Sequence, residues 1–230
     1  MRLYFFGFAC AVSTLLGATA AAQVRFADVT AQMGLGSFNS VPGDGHAPGA
    51  VFNDLDNDGY ADVYVMGGHQ AGAHQPNRLF LNVPAGGGGR TFVAVNGAAG
   101  ADNTGAQNGA LSADYDNDGD QDLFVINWQE PNALYRNNLV ESGSLSFTDV
   151  TWSTDPTPGL ADDQHGVAWA TVNGQSVNQT LTAAWADPDR DGDLDLYTGT
   201  HHGWFGWGGS LPGERDTFYM NNGDGTFSDM

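Results

Sequence analysis

Three short stretches concentrate carboxylates at a spacing suited to holding a cation: DLDNDGYAD from Asp54 to Asp62, DYDNDGDQD from Asp114 to Asp122, and DPDRDGDLD from Asp187 to Asp195. Carboxylates crowded into one turn repel one another, and without a counter-ion their pKa values rise or the turn opens. Positions one, three and five of each stretch can point inside a tight loop: Asp54, Asp56 and Asp58; Asp114, Asp116 and Asp118; Asp187, Asp189 and Asp191. A glycine at position six allows the bend. The backbone carbonyl at position seven (Tyr60, Asp120, Asp193) can face the same centre, and position nine (Asp62, Asp122, Asp195) closes the cage. A flexible, all-oxygen shell of about six or seven ligands matches calcium. Magnesium would keep more water, and softer metals would want histidine or cysteine. The expectation is about three Ca2+, one per loop.

The EF-hand loop begins the same way but needs a bidentate glutamate at position twelve, where this chain has Val65, Val125 and Thr198. It also needs flanking helices. The flanks here, GAVFND and ADVYVMGG, GALSAD and DLFVIN, TAAWAD and DLYTGT, are short, β-branched and aromatic, and bounded by Gly and Asn. They read as strand, loop, strand.

The repetition extends beyond the loops. A third strand follows in each unit (NRLFLN, NALYRNN, DTFYMNN), then a turn and a fourth strand (RTFVAV, LSFTDVT, GTFSDM). NNGDGTF is a strong hairpin signal, because Asn-Gly and Asp-Gly accept positive φ. The expected fold is all-β, made of β-propeller blades of four antiparallel strands, with units at about 40–100, 101–151 and 160–230. The interval between the second and third loops is the longer one. It contains WATVNGQSVNQT, which reads as an extra hairpin.

DxDxDGxxD between strands, with NxLYxNNG, GTFxDVT and the opening ADVTAQMGL, resembles the FG-GAP or VCBS repeat proteins. These are calcium-binding propellers similar to the integrin α head (integrin α N-terminal-like) and to the cartilage acidic protein group. The resemblance implies a seven-bladed ring, metal loops on one rim and ligand-binding loops on a face. About three blades are present, so further blades of the same or a longer chain are expected, or a half-propeller that closes by self-association. VRFADVTAQMGL reads as a fourth strand with no blade before it, and GTFSDM stops inside its own fourth strand.

Residues 1–22, with Arg2, an apolar run through Leu16 and small residues at Ala20 and Ala22, read as a signal peptide, leaving 23–230 as the repeat module. Cys10 lies within that segment, so no disulfide is expected to staple the exported fold. The expected location is secreted, periplasmic or cell-surface, with no membrane insertion after cleavage. The formal net charge is −20 and there is no lysine. Nucleic acid and anionic membranes are therefore excluded as partners, and so is lysine-based catalysis. About half of the 27 acidic residues lie in the three loops, so the charge is clustered rather than spread as in a disordered chain.

His46 and His165 occupy equivalent places at the start of their units, and His69 and the His201–His202 pair follow the second strand. Equivalent ends of blades converge on one propeller face, so these residues form a possible ligand face, or simply hydrogen-bond within loops. HHGWFGWGG adds Trp204 and Trp207, which suit stacking on a sugar or packing against a neighbouring blade. No catalytic triad can be assigned. The chain therefore reads as a calcium-binding module for adhesion or recognition of an extracellular protein or glycan. A propeller-type polysaccharide lyase or hydrolase and a structural spacer of a larger surface protein are the alternatives.

Overall fold

The computed structural model describes residues 26–36, 49–67, 69–70, 73–105, 107–127, 131–151, 171–172, 175–176, 180–200 and 216–230. Among these, three four-stranded antiparallel sheets carry the structure. The first is built from β1 (Ala50–Asn53), β2 (Asp62–Val65), β5 (Arg78–Pro84) and β6 (Arg90–Val95), with a small hairpin, β3 (His69–Gln70) and β4 (Ala73–His74), between its second and third strands. The second contains β7 (Gln107–Ala113), β8 (Asp122–Asn127), β9 (Ala133–Asn137) and β10 (Phe147–Asp149). The third contains β13 (Thr180–Ala186), β14 (Asp195–Thr200), β15 (Thr217–Asn221) and β16 (Phe227–Asp229). In every sheet spatial order follows chain order, as in propeller-like blades.

The same register recurs at each acidic loop. Asn53 pairs with Asp62, Ala113 with Asp122, and Ala186 with Asp195, so position nine is always the first residue of the second strand. The pairing β11 (Thr171–Val172) with β12 (Gln175–Ser176) supplies the extra hairpin expected in the third unit. Helical content is slight. A one-turn helix, α1 (Leu139–Ser142), ends at Gly143 in the left-handed region and joins β9 to β10, and a turn at Asn96–Gly100, with positive φ from Gly97 to Gly100, follows β6. No helix of the described residues is long and apolar enough to cross a membrane.

The sheets pack face to face through two apolar layers. Leu123 and Val125 of β8 join Tyr64, Met66 and Leu79 of the first sheet. Phe124 and Ile126, the alternate residues of the same strand, join Leu196 and Phe227 of the third. Successive strand residues point to opposite faces, and both faces of the middle sheet are covered, so DLFVIN is buried throughout and shows no polar alternation. Trp185 knits the second layer, with ring centroids 6.4 Å from Tyr115 and 6.2 Å from both Phe124 and Phe227. The first strands β1, β7 and β13 run beside one another. At the start of β1 a Cβ on Gly49 would sit 3.3 Å from the Cα of Gly109, so small residues let the two backbones approach.

The opening segment differs from expectation. Residues 26–36 form turns rather than a strand. Asp28 accepts the Thr30 amide, and Met33 N and Leu35 N donate back to Val29 O and Thr30 O, closing the backbone on itself. Local side-chain acceptors of this kind compete with sheet pairing. The segment touches β6 through Phe92 N donating to Met33 O at 2.8 Å.

Phe124 is fully buried between the second and third sheets, whereas Phe52 is 64% exposed on the far face of the first. Phe124→Ala is expected to destabilise the protein by about 3–5 kcal/mol in urea unfolding. Phe52→Ala is expected to change it by less than about 0.5 kcal/mol.

Candidate metal centres

Each acidic loop is shaped by its own aspartates. In the first, Asp54 accepts the amides of Asp58 (3.0 Å) and Gly59 (2.8 Å), and Asp58 accepts that of Tyr60 (2.9 Å). The second repeats this with Asp114 accepting Asp118 N and Gly119 N, and Asp118 accepting Asp120 N. In the third, Asp187 accepts Gly192 N and Asp191 accepts Asp193 N. These bonds need a sharp bend. Gly59, Gly119 and Gly192 have φ of 87°, 99° and 102°, and the residue at position four (Asn57, Asn117, Arg190) is also left-handed.

The carboxylates at positions one, three and five converge in the outer loops. Ligand oxygens of Asp54, Asp56 and Asp58 lie within 4.8 Å of one another, as do those of Asp187, Asp189 and Asp191. Two ligands bound to one calcium at about 2.4 Å cannot be much farther apart than this. The middle loop divides differently. Asp114 and Asp116 group with Asp122, while Asp118 groups with Asp120 and Glu141.

Position nine has a second task. Asp62 accepts Leu55 N and Asn82 N, Asp122 accepts Tyr115 N and Asn137 N, and Asp195 accepts Asn221 N. All three aspartates are buried, and each clamps its loop to the third strand of its sheet. In the third loop position two is Pro188, which has no amide hydrogen, and Asp195 Oδ2 is left buried without a donor. Of the position-seven residues whose carbonyls were expected to face the ion, Tyr60 holds its ring under the Arg90 guanidinium, 3.4 Å from the centroid, and Asp193 accepts the Asn117 amide. Arg90 also pairs with Asp58 at 2.8 Å.

Burial, and after it the neighbouring carboxylates net of backbone donors, drives several aspartates toward protonation. Asp116 is pushed up to about 6 and Asp122 to about 8, and Asp56, Asp62, Asp120 and Asp195 shift the same way. Asp116 Oδ1 and Asp118 Oδ2 are buried without a hydrogen-bond donor. Buried anionic oxygens in this state are what a hard cation would satisfy, and the donor set is entirely carboxylate. The residues therefore fit calcium. Those that would hold it are the converging aspartates of each loop.

Two sets of asparagines tie the loops into a series. Asn57 Nδ2 donates to Gly119 O in the second loop, and Asn117 Nδ2 donates to Gly192 O and Asp193 Oδ1 in the third. In return Asn137 Nδ2 donates to Leu55 O in the first loop, and Asn221 Nδ2 to Tyr115 O in the second. These asparagines, Arg90 and Glu141 were not among the residues singled out from sequence. The only signal was the recurrence of Asn at position four of the first two loops and at or near the end of each third strand. At the opposite end of the sheets, Asn77, Asn132 and Asp216 each accept the backbone amide just beyond or ending the second strand, from Gly67, Asn127 and Thr200.

Of the expected ligand face, His46, His165, His201, His202, Trp204 and Trp207 lie outside the described residues. His69 is placed in the β3–β4 hairpin, paired in register with His74.

The fold and its loops define a repeat protein of antiparallel β-sheets, each with an acidic hairpin loop at one corner. Residues 54–125, from the first aspartate of the first loop into β8, match the family model of the FG-GAP-like repeat. That stretch of the chain thus resembles an FG-GAP-like repeat. No curated protein matches it significantly.

Two outcomes are expected. Asn137→Ala removes donors to Leu55 O and Gln121 O in a buried setting and should cost about 2 kcal/mol in denaturant unfolding. In chelator, the raised pKa values make the folded chain bind more protons than the unfolded one between about pH 4 and 8. Stability contributed by the protonated carboxyls is present at the acid end and is lost as pH rises through that window, so the melting temperature should fall. Saturating calcium should flatten this fall. A melting temperature that rises with pH in chelator would contradict it.

Proposed function

We propose that the chain is an exported, calcium-stabilised FG-GAP-like propeller module that recognises an extracellular protein or glycan and has no catalysis of its own. The observation that supports this most is the series of carboxylate loops bonded to one another across sheets. Calcium in such loops offsets charge that the backbone amides only partly compensate, so its binding free energy adds to folding free energy. An exported chain without disulfides would gain its rigidity this way.

In this reading the ion is structural and the ligand meets loops elsewhere. A ring of about seven blades would be completed by further units of the same or a longer chain. The net charge of −20 favours a neutral or basic partner over nucleic acid. The site of action is the periplasm, the cell surface or the medium, after removal of residues 1–22. Trp204 and Trp207 are the residues proposed to contact a glycan.

Chelator should lower the melting temperature of the parent chain by several degrees, and calcium should restore it. Asp116→Ala should weaken that response. An unchanged melting temperature in chelator would overturn the calcium reading. Retained glycan-array binding in the Trp204→Ala, Trp207→Ala double variant would exclude the sugar platform.

A further inference from the structure

The middle sheet carries acidic chemistry that its loop does not account for. Six carboxylates gather at that corner: Asp114, Asp116 and Asp122 in one group, and Asp118, Asp120 and Glu141 in another. Glu141 belongs to no acidic loop. It is brought in by α1, the helical turn between β9 and β10 of the second sheet. The ligand oxygens of its group lie within 4.8 Å of one another, the separation that a shared hard cation permits.

A second observation is independent of this clustering. The Asp120 side chain is fully buried. Its Oδ2 accepts the Val140 amide at 3.0 Å, which fixes the carboxylate against α1, while Oδ1 is buried with no donor. Asp118 is half-buried, with Oδ1 accepting the Asp120 amide and Oδ2 buried and unpartnered. Two anionic oxygens facing neither water nor a donor leave a large desolvation cost uncompensated. Arg136 brings a cationic side chain to this corner. It approaches Glu141 at 4.0 Å, the outer limit of an ion pair, and its Nε has no hydrogen-bond partner. Arg136 brings a single positive charge to a corner of six carboxyls.

The other two loops lack this arrangement. At the position of Asp120 they have Tyr60, engaged with Arg90, and Asp193, which accepts from Asn117.

We propose that Asp118, Asp120 and Glu141 form a second hard-cation site on the middle sheet, beside the loop site and distinct from it. All its protein donors are carboxylate oxygens, which selects calcium or a similar oxygen-seeking divalent ion over zinc or copper. Glu141 is partly exposed, so water completes the shell on that side.

The experiment is calorimetric titration of calcium into the parent chain and into Glu141→Gln and Asp120→Asn variants. Glu141 lies on an exposed turn, so its variant is expected to fold, with circular dichroism as the check. Both substitutions should delete one calcium equivalent or raise its Kd at least about tenfold. A smaller change in Glu141→Gln overturns the site. This readout separates the proposal from the loop reading. If the parent binds one equivalent and Glu141→Gln none, the site stands and the loops do not take calcium. Equal uptake of several equivalents by both would sink the site and leave the loops intact.

Discussion

Repulsion among carboxylates confined to hairpin loops is the constraint on which the rest of this structure depends. Each loop brings three or more aspartates within ligand distance of a common point. The backbone answers part of that charge, since loop amides donate inward to positions one and five. The remainder shows as pKa values pushed upward and as buried oxygens without donors. Protons and a hard cation would compete for this one set of oxygens.

The loops are also the mechanical link between sheets. Position two carries Leu55 or Tyr115, both buried in the apolar layers, so residues between the converging aspartates plug the core. Position nine clamps the loop to the third strand, and the asparagine at that strand's end reaches the loop of the preceding sheet. Charge balance at one loop is therefore coupled to packing at the next. The third loop departs where Pro188 replaces a donor and leaves Asp195 half satisfied. The same nine-residue pattern thus yields three sites that are not energetically equivalent.

The middle sheet departs furthest. Its strand β8 is apolar on both faces because it alone has a described sheet on either side. The α1 turn then adds an acidic residue to a corner already rich in them. Arg90 performs the opposite service at the first loop, stacking on Tyr60 and pairing with Asp58. Similar loops are thus tuned by side chains arriving from other elements of the same sheet.

Local pattern along the chain defines the unit: strand, acidic loop, strand, strand, strand, three times, with glycine at the bend and aspartates at alternate positions. That much is local, because loop geometry follows from glycine's tolerance of positive φ and from aspartate bonding to nearby amides. The opening ADVTAQMGL reads as a strand but forms turns, since its Asp28 turn is local while a strand exists only against an edge. Tertiary structure decided which aspartates share a centre, how Asp118 and Asp120 separate from Asp114 and Asp116, and that Glu141, Asn137 and Asn221 belong to the rim. Those outcomes depend on how far apart residues distant in sequence come to lie once the sheets stack. Spacing along the chain carries no record of that distance.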